Sequence, residues 1–445
     1  MDSMIRVLSA ATLSLALLPA IAQVARVAPP APPASAPMEH VAWSRNANIY
    51  EVNIRQFTRE GTINAFAAHL PRLKSMGVDI LWIMPVQPIG EKNRKGTLGS
   101  YYAVRDYTAV NAEFGNLADF KAMVAQAHKL GMRVILDWVA NHTAWDNAWV
   151  TQHNDWYKKN AKGEVFPVTF NEGGDVEYWT DVIALDYTKP ALWKGMTDAM
   201  SFWVRETDID GFRCDVAGLV PVAFWNQARK ELDKIKPVFM LAEWAEPALH
   251  EQAFDMTYDW ALADIFKKIG KGKADARDIA AYITKPEKAF PAHAIRMLFT
   301  NNHDFNSWHG TDRALYGKAY KALAVVAATL PGMPLMYNGQ ESGLDKQLAF
   351  FEKDQIAWGN YPLADFYSGL LKLKRDNPAM ANGQYGAPAS FVATGNDKVL
   401  AYKRVLGSNV VDVVVNLSGK RQSFTLDGAK AAPLAAWNWR INARQ

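Results

Sequence analysis

Short runs of β-branched and other apolar residues alternate along the chain with stretches in which apolar residues recur every three or four positions. Runs of the first kind predict buried strands, and stretches of the second kind predict amphipathic helices. One helical stripe ends at Gly77, and another begins at Asn116 and ends before Gly131. Asparagine suits a helix N-cap and glycine suits the residue after a helix. The first stripe contains Ile63, Phe66, Ala67, Leu70, Leu73 and Met76.

Eight of the apolar runs are predicted to be strands, and helical stretches separate most of them. Strands that alternate with helices predict a parallel sheet, and eight such units predict closure into a TIM (β/α)8 barrel of the α/β class. The barrel is expected to span residues 43–378. The predicted strands are Ile49–Ile54, Val78–Met84, Val134–Val139, Ile209–Cys214, Val238–Glu243, Phe254–Tyr258, Ala294–Thr300 and Pro334–Asn338.

Two segments depart from this alternation. Residues 143–189 form a long excursion after the third strand, and a loop of that length is expected to have structure of its own or to serve a site. After Asn377-Pro378 the pattern changes to alternating strands separated by turns such as Gly395-Asn396-Asp397. Residues 379–445 are therefore predicted to form a separate C-terminal β domain.

The first 42 residues have the composition of a processing segment and a tether. Arg6 precedes the apolar run Val7–Ile21, and Ala20-Ile21-Ala22 is a small-residue cleavage pattern before Gln23. Residues 1–22 are predicted to be a signal peptide. Residues 23–42 are predicted to be a linker, because they are rich in proline and alanine. We expect a secreted or periplasmic protein with no stable membrane association after cleavage.

Composition narrows the classes of partner. The 445 residues have a formal net charge of +4, with both signs spread along the chain and no basic stripe. A nucleic-acid partner is therefore not expected. Cys214 is the single cysteine, so the chain cannot form an intramolecular disulfide.

Four of the predicted strands end in polar, titratable residues. The third is followed by Asn141-His142, the fourth by Asp215, the fifth ends at Glu243, and the seventh is followed by His303-Asp304. One such residue alone is usually a helix cap or an ion-pair partner. Four in order predict that the strands carry reactive groups to one face of the barrel.

These strand ends resemble the sequence regions of the α-amylase family, glycoside hydrolase family thirteen. The resemblance implies a short domain B over 143–189 and a C-terminal antiparallel β-sandwich. It also implies that Asp215 is a nucleophile, that Glu243 is an acid/base, and that Asp304 binds sugar hydroxyls. The α-glucan substrate would be cleaved with retention through a covalent glycosyl-enzyme.

The resemblance also implies six residues that bind substrate. His142 and His303 would donate hydrogen bonds to sugar hydroxyls. Tyr102 and Asp106 match a Tyr-x-x-x-Asp-Tyr element whose first tyrosine stacks on the sugar. Arg213 lies two residues before Asp215, on the same side of the strand, and is expected to keep Asp215 ionised. Trp244 follows Glu243 and is expected to contact the substrate.

No cofactor is expected for the chemistry, and no metal-binding residue is assigned to the catalytic site. In many members of the family the asparagine that matches Asn141 binds a structural calcium, together with domain B and a backbone carbonyl after the fourth strand. Here Gly218-Leu219 replaces the Lys-His of calcium-dependent amylases, and domain B is short. One oxygen ligand is thus identified, and a structural calcium stays open.

We expect a hydrolase that cleaves α-1,4 bonds in starch or maltooligosaccharides. The residues named here would serve a transglycosylase equally well. Val216-Ala217 after the nucleophile resembles neopullulanases and cyclomaltodextrin-degrading relatives. A third hypothesis is a non-catalytic barrel that binds sugar or a partner protein, and the presence of all three carboxylates with Arg213 argues against it.

Overall fold

The computed structural model describes residues 38–172, 175–286 and 289–445. The predicted signal peptide and residues 23–37 of the predicted linker lie outside this part of the chain. The linker was predicted to continue to residue 42, but His40 is buried and its Nδ1 lies 2.7 Å from Oδ1 of Asp255. Packed structure therefore begins before Trp43. Within the described ranges, no helix has both the length and the apolar character needed to cross a membrane.

Eight parallel strands close into a barrel in chain order, and the eighth pairs with the first. The predicted TIM barrel is confirmed. Six of these strands are buried along their whole length, and the other two each have one half-buried residue, which explains their largely apolar sequences. The barrel strands are Ile49–Val52, Ile80–Ile83, Arg133–Trp138, Gly211–Cys214, Phe239–Ala242, Met256–Tyr258, Ile295–Leu298 and Met333–Tyr337.

Helices surround the barrel, and their ends follow local sequence signals. Asn116 caps the helix Leu117–Lys129 through a reciprocal pair of hydrogen bonds with Asp119, as its sequence predicts. The predicted helix over 63–76 is divided in two. Pro71 lies in the first turn of the second part, where a backbone N–H would have no partner within the helix, so the missing N–H of proline loses no hydrogen bond. The α-helices are Ile54–Phe57, Ile63–Ala67, Leu70–Met76, Leu117–Lys129, Trp149–Gln152, Pro190–Thr207, Val222–Asp233, Trp260–Gly270, Ala276–Thr284, Asp312–Tyr316, Tyr320–Thr329 and Ala364–Asp376.

The excursion after the third strand contains a small antiparallel sheet. Asp175–Ala184 is its central strand, with His142–Ala144 and Pro167–Glu172 on either side. The sheet begins at His142, so the inserted segment and the end of the third barrel strand are continuous. Any movement of this sheet would move a predicted substrate-binding side chain.

The C-terminal segment forms a four-stranded antiparallel sheet and a two-stranded one, as the β-domain prediction requires. The larger sheet packs on the barrel helix Tyr320–Thr329. Arg404 is buried at this contact and donates hydrogen bonds to the carbonyls of Thr329 and Leu330, among others. The strands are Ser390–Phe391, Val399–Leu406, Asn409–Asn416 and Trp439–Arg444, then Thr425–Leu426 and Ala429–Lys430.

Gly211 begins the fourth barrel strand at a point of very close backbone approach. Its φ is +152°, and a Cβ atom placed there would lie 1.8 Å from the carbonyl oxygen of Phe239 on the fifth strand. The two strands that carry Asp215 and Glu243 can therefore pair closely only if this residue has no side chain.

We predict that Gly211→Ala lowers the free energy of unfolding by about 3 kcal/mol or more, because it adds a clash to backbone strain. The matched control is Gly369→Ala, in the helix Ala364–Asp376, where nothing lies within 4 Å of the added carbon. That change should raise stability by about 0.5–1 kcal/mol. Urea denaturation of both variants measures the difference, and equal stabilities would contradict this account of Gly211.

Candidate active site

The three predicted carboxylates lie at the carboxyl end of the barrel. Cys214 and Ala242 are paired in the register of the fourth and fifth strands, so Asp215 and Glu243 follow at neighbouring positions. Hydrogen bonding continues beyond the strands, because the Glu243 N–H donates to the carbonyl of Cys214 at 3.0 Å. Asp304 follows the seventh strand. Asp215 and Glu243 are buried, whereas the side chain of Asp304 is one-third exposed.

Arg213 connects the two buried carboxylates. Its Nη1 donates hydrogen bonds to Oδ1 of Asp215 at 3.0 Å and to Oδ1 of Asp137 at 2.9 Å. Its Nη2 lies 2.8 Å from Oε1 of Glu243. The guanidinium is fully buried, and one cation therefore orients three carboxylates. It is surrounded by the rings of Trp82, Tyr102 and Tyr258, with centroids 5.0, 5.7 and 5.8 Å away.

Burial raises the pKa of both Asp215 and Glu243. For Asp215 the carboxylate of Glu243 raises the pKa further, and Arg213 opposes both effects. The sequence predicted that Arg213 would dominate and keep Asp215 ionised. That expectation accounted for the cation but not for desolvation or for a like charge next to it. The two groups titrate as a pair, and repulsion favours the state with one proton between them.

The two histidines at the site differ in charge. Burial disfavours a charge on His303, but the carboxylates of Asp304 and Glu51 outweigh this and raise its pKa to about 9. Its Nδ1 lies 2.5 Å from Oε1 of Glu51, and its Nε2 lies 2.8 Å from the hydroxyl of Tyr102. Burial lowers the pKa of His142 to about 3. At neutral pH His303 is a cation, and His142 is a neutral ring whose Nε2 lies 4.0 Å from Oδ2 of Asp215.

Tyr102 begins a line of aromatic rings that leads from the carboxylates to the surface. Its hydroxyl donates a hydrogen bond to Oδ2 of Asp137 at 3.0 Å, which fixes the ring. The ring of Phe350 lies nearly parallel to it at 6.2 Å, and Trp308 follows at 5.3 Å from Phe350. Trp308 is 53% exposed. Tyr102 is buried and Phe350 is half-buried, so the rings become more exposed with distance from the carboxylates.

Two of the predicted binding residues lie at the margin of this cluster or outside it. Asp106 is exposed, and its carboxylate accepts hydrogen bonds from the backbone N–H and hydroxyl of Thr108, so the structure does not bring it to the triad. Trp244 is partly buried and lies flat over Gly218, where a Cβ atom would come within 2.2 Å of the indole. The ring thus occupies the space of a side chain at Gly218, a position where calcium-dependent amylases have a large residue.

Two further buried acids, which the pattern of strand ends does not indicate, complete the cluster. Asp137 is paired in register with Arg213, and the indole N–H of Trp82 also donates to it. Glu51 is fully buried on the first strand and binds His303. Each interrupts an apolar strand. A charge in a buried strand requires a partner, and that signal could have identified both residues.

The surroundings of Asn141 do not favour a carboxylate-rich calcium site. Its side-chain nitrogen lies 3.2 Å from Nδ1 of His142, and its backbone carbonyl accepts a hydrogen bond from the Leu185 N–H. In the part of the chain that the structure describes, no three His, Cys, Asp or Glu side chains are grouped so as to hold a metal ion.

We predict that His303 makes the stability of the protein depend on alkaline pH. Because its pKa is raised to about 9 from 6.5, it stabilises the fold fully below pH 6.5, and this contribution is lost as the pH rises through 9. The full loss is about 3 kcal/mol. Denaturation between pH 6.5 and 9 should show a smaller decline for His303→Gln than for the unaltered protein.

His142→Gln is the matched control, because the pKa of His142 is lowered to about 3 in the folded chain, which keeps the side chain neutral there throughout this pH range. In the unfolded chain its pKa is near 6.5, so its charge is lost within about one pH unit above 6.5 and changes stability by only about 0.4 kcal/mol. This variant should show the same decline as the unaltered protein. Parallel curves for all three proteins would contradict the assignment of a charge to His303.

Comparisons with known proteins agree with this geometry. The family model described as alpha amylase, catalytic domain, matches residues 42–376. An alpha-amylase MalA of Haloarcula japonica is 29% identical over 406 residues, which cover 87% of this chain and 58% of the relative. An alpha-1,4-glucan:maltose-1-phosphate maltosyltransferase of Rhodospirillum rubrum is 27% identical, and the matched residues cover 81% of this chain and 54% of that relative. The chain thus spans less than two-thirds of the length of these two relatives.

A solved alpha-amylase structure from Lactobacillus plantarum is 30% identical to the chain and aligns with a TM-score of 0.77 over 90% of this chain and 99% of its own. The family match covers well over half of the sequence, and the fold agrees with it. The chain belongs to the α-amylase family of glycoside hydrolases.

Proposed function

We propose that the protein is a retaining hydrolase of α-1,4-glucosidic bonds in starch or maltooligosaccharides. The observation that carries this proposal is the binding of Asp215 and Glu243, at adjacent strand ends, to one guanidinium. A shared cation keeps the two carboxyl groups near each other. That favours the spacing of about 5–5.5 Å used in retaining enzymes over the 6.5–9.5 Å of inverting ones.

In the first step Glu243 gives its proton to the glycosidic oxygen while Asp215 attacks the anomeric carbon. The bond to the leaving sugar breaks, and an ester to Asp215 forms. Glu243, now ionised, then takes a proton from water as the water oxygen attacks the same carbon and releases Asp215. At its start this cycle needs a proton on Glu243 and an ionised Asp215. Repulsion disfavours ionisation of both groups at once, and Arg213 lowers the pKa of each.

Neighbouring groups would stabilise the positive charge that develops on the sugar ring. Asp304 supplies a carboxylate that is partly exposed, so it can reach a bound ligand. The His303 cation holds Asp304 at 3.3 Å and is itself held by Glu51. Glu51 and Asp137 act as positioning residues, because they orient His303, Tyr102 and Arg213. This preorganisation costs no rearrangement during the reaction.

The aromatic line Tyr102–Phe350–Trp308 supports an oligosaccharide substrate. Three rings in sequence lead from the carboxylates to the exposed Trp308, and the centroids of neighbouring rings are 6.2 and 5.3 Å apart. The inserted sheet places a further ring, that of Trp179, against His142, with ring centroids 5.6 Å apart. A glucan chain bound at the carboxylates can therefore contact rings beside both Tyr102 and His142.

Transglycosylation is the second candidate, and the similarity to a maltosyltransferase favours it. The same residues form the glycosyl-enzyme, and a sugar hydroxyl replaces water in the second step. A neopullulanase-like or cyclomaltodextrinase-like preference is a narrower form of the hydrolase proposal. A barrel that only binds sugar would have no need for a buried acid pair with a shared cation, whose desolvation is costly.

Incubation with maltoheptaose tests the proposal directly. We predict that shorter maltooligosaccharides appear first as the α-anomer. NMR of the anomeric protons measures the anomer released, and chromatography measures the product sizes. Release of the β-anomer would contradict retention. Products longer than the substrate would show that transglycosylation predominates. Absence of any reaction with linear, branched and cyclic glucans would overturn the hydrolase proposal.

Substitution of the two acids separates their roles. Asp215→Asn should lower kcat by at least about 10⁴-fold with every substrate, because no nucleophile remains. Glu243→Gln should lose turnover on maltoheptaose to a similar extent but retain much of its first step with an α-maltosyl fluoride, whose leaving group needs little protonation. If Glu243→Gln slows both substrates equally, the acid assignment is wrong.

A further inference from the structure

A second cavity, of about 550 Å³, opens on the surface beside the inserted segment. Three rings, those of Trp149, His153 and Trp156, line it together with polar side chains of Asp106, Lys194 and Asp198. A volume of this size lies within the range of small-ligand pockets. The cavity contains Asp106, the predicted binding residue that the structure separates from the catalytic carboxylates.

Tyr107 separates this cavity from the catalytic site. Its ring packs 4.7 Å from that of Trp149, and its buried hydroxyl donates to the backbone carbonyls of Val139 and His142. The end of the third strand therefore stands between the two sites. None of the lining residues makes a hydrogen bond or ion pair with Asp215, Glu243 or Asp304 among the contacts of the described residues. The cavity is a separate site on the same loop as Tyr102.

The aromatic wall is held rigidly. The rings of Trp149 and Trp156 meet edge to face at 5.1 Å, and His153 stacks on Trp156 at 4.0 Å with an angle of 8° between planes. Gly195 completes the packing, because a Cβ atom there would come within 2.5 Å of the Trp156 ring. Trp149 and His153 are each partly exposed. They form a fixed apolar surface that loses little entropy when a ligand binds.

The polar groups of the cavity suit a neutral ligand with many hydroxyls. Asp106 uses Oδ1 to bind Thr108, and Oδ2 has no hydrogen-bond partner among the described residues. Lys194 and Asp198 form an ion pair one helical turn apart at the exposed rim. Two carboxylates against one ammonium leave a net negative charge, which disfavours a phosphorylated ligand. Carboxylate acceptors beside fixed rings match the hydroxyls and the C–H faces of a sugar.

We propose that this cavity is a second glucan-binding site, which takes one or two glucosyl units of a polymer whose other segment occupies the catalytic cleft. The choice of glucan rests on the proposed function, whereas the preference for a neutral sugar rests on the cavity alone. A second contact raises the local concentration of polymer at the catalytic site without new catalytic groups. We expect this increase in local concentration only with long substrates, because a short oligosaccharide cannot reach both sites.

Affinity electrophoresis of the full chain in gels that contain amylopectin tests the proposal. Every protein carries Glu243→Gln so that the gel polymer is not digested. The cavity variant is Asp106→Ala with Asp198→Ala, and the charge-matched control is Asp155→Ala with Asp264→Ala, two exposed carboxylates outside the cavity. We expect the cavity variant to bind amylopectin at least tenfold more weakly than the control. Trp149→Ala, if it folds by circular dichroism, should show the same loss.

A second readout uses the proteins without Glu243→Gln. The cavity variant should keep kcat/KM for maltotriose within twofold, while its KM for amylopectin rises at least threefold. The proposal is overturned if the cavity variant and the control are retarded equally. It is also overturned if amylopectin does not retard the protein that has an unaltered cavity. If retardation depends on the cavity but no glucan is cleaved, the hydrolase proposal fails and this one stands. If glucans are cleaved but the cavity variant and the control are retarded equally, only the proposal of a second binding site fails.

Discussion

The ion pairs of Arg213 set the geometry on which the rest of the site depends. A fully buried guanidinium is costly to desolvate, and it persists here because Asp137, Asp215 and Glu243 each lie within 3.0 Å of it. Three carboxylates would repel one another without this cation. The three acids stabilise Arg213 inside the barrel. Arg213 in turn holds Asp215 and Glu243 at the positions that attack on the anomeric carbon requires.

The barrel makes this cluster possible, because it brings the carboxyl ends of parallel strands together. Asp137, Arg213 and Leu241 stand in one row across the third, fourth and fifth strands. The close approach at Gly211 keeps the fourth and fifth strands in tight register below the acids. A strand displaced by one residue would turn Arg213 outward and leave its partners unpaired in the core. Core packing and site geometry therefore constrain the same residues.

Loops outside the barrel contribute apolar surface rather than reactive groups. Phe350 and Trp308 extend the ring of Tyr102, and the inserted sheet brings Trp179 to His142. The segment that carries Tyr102 continues through Tyr107 to the second cavity. One loop thus contributes to both sites, and its register is fixed by Tyr107, which is buried between them.

The sequence by itself determined the eight strands, the helices between them, and the acids Asp215, Glu243 and Asp304 at the strand ends. These features depend on periodicity and on the residue that ends each strand, and both are local. Only the tertiary structure decided that Asp106 lies in another cavity and that Glu51 and Asp137 belong to the cluster. It also decided that His303 is charged and His142 is neutral, because a pKa depends on burial and on carboxylates that are distant in sequence. The same reason explains why Arg213 does not by itself keep Asp215 ionised: desolvation and a neighbouring acid arise only when the chain is folded.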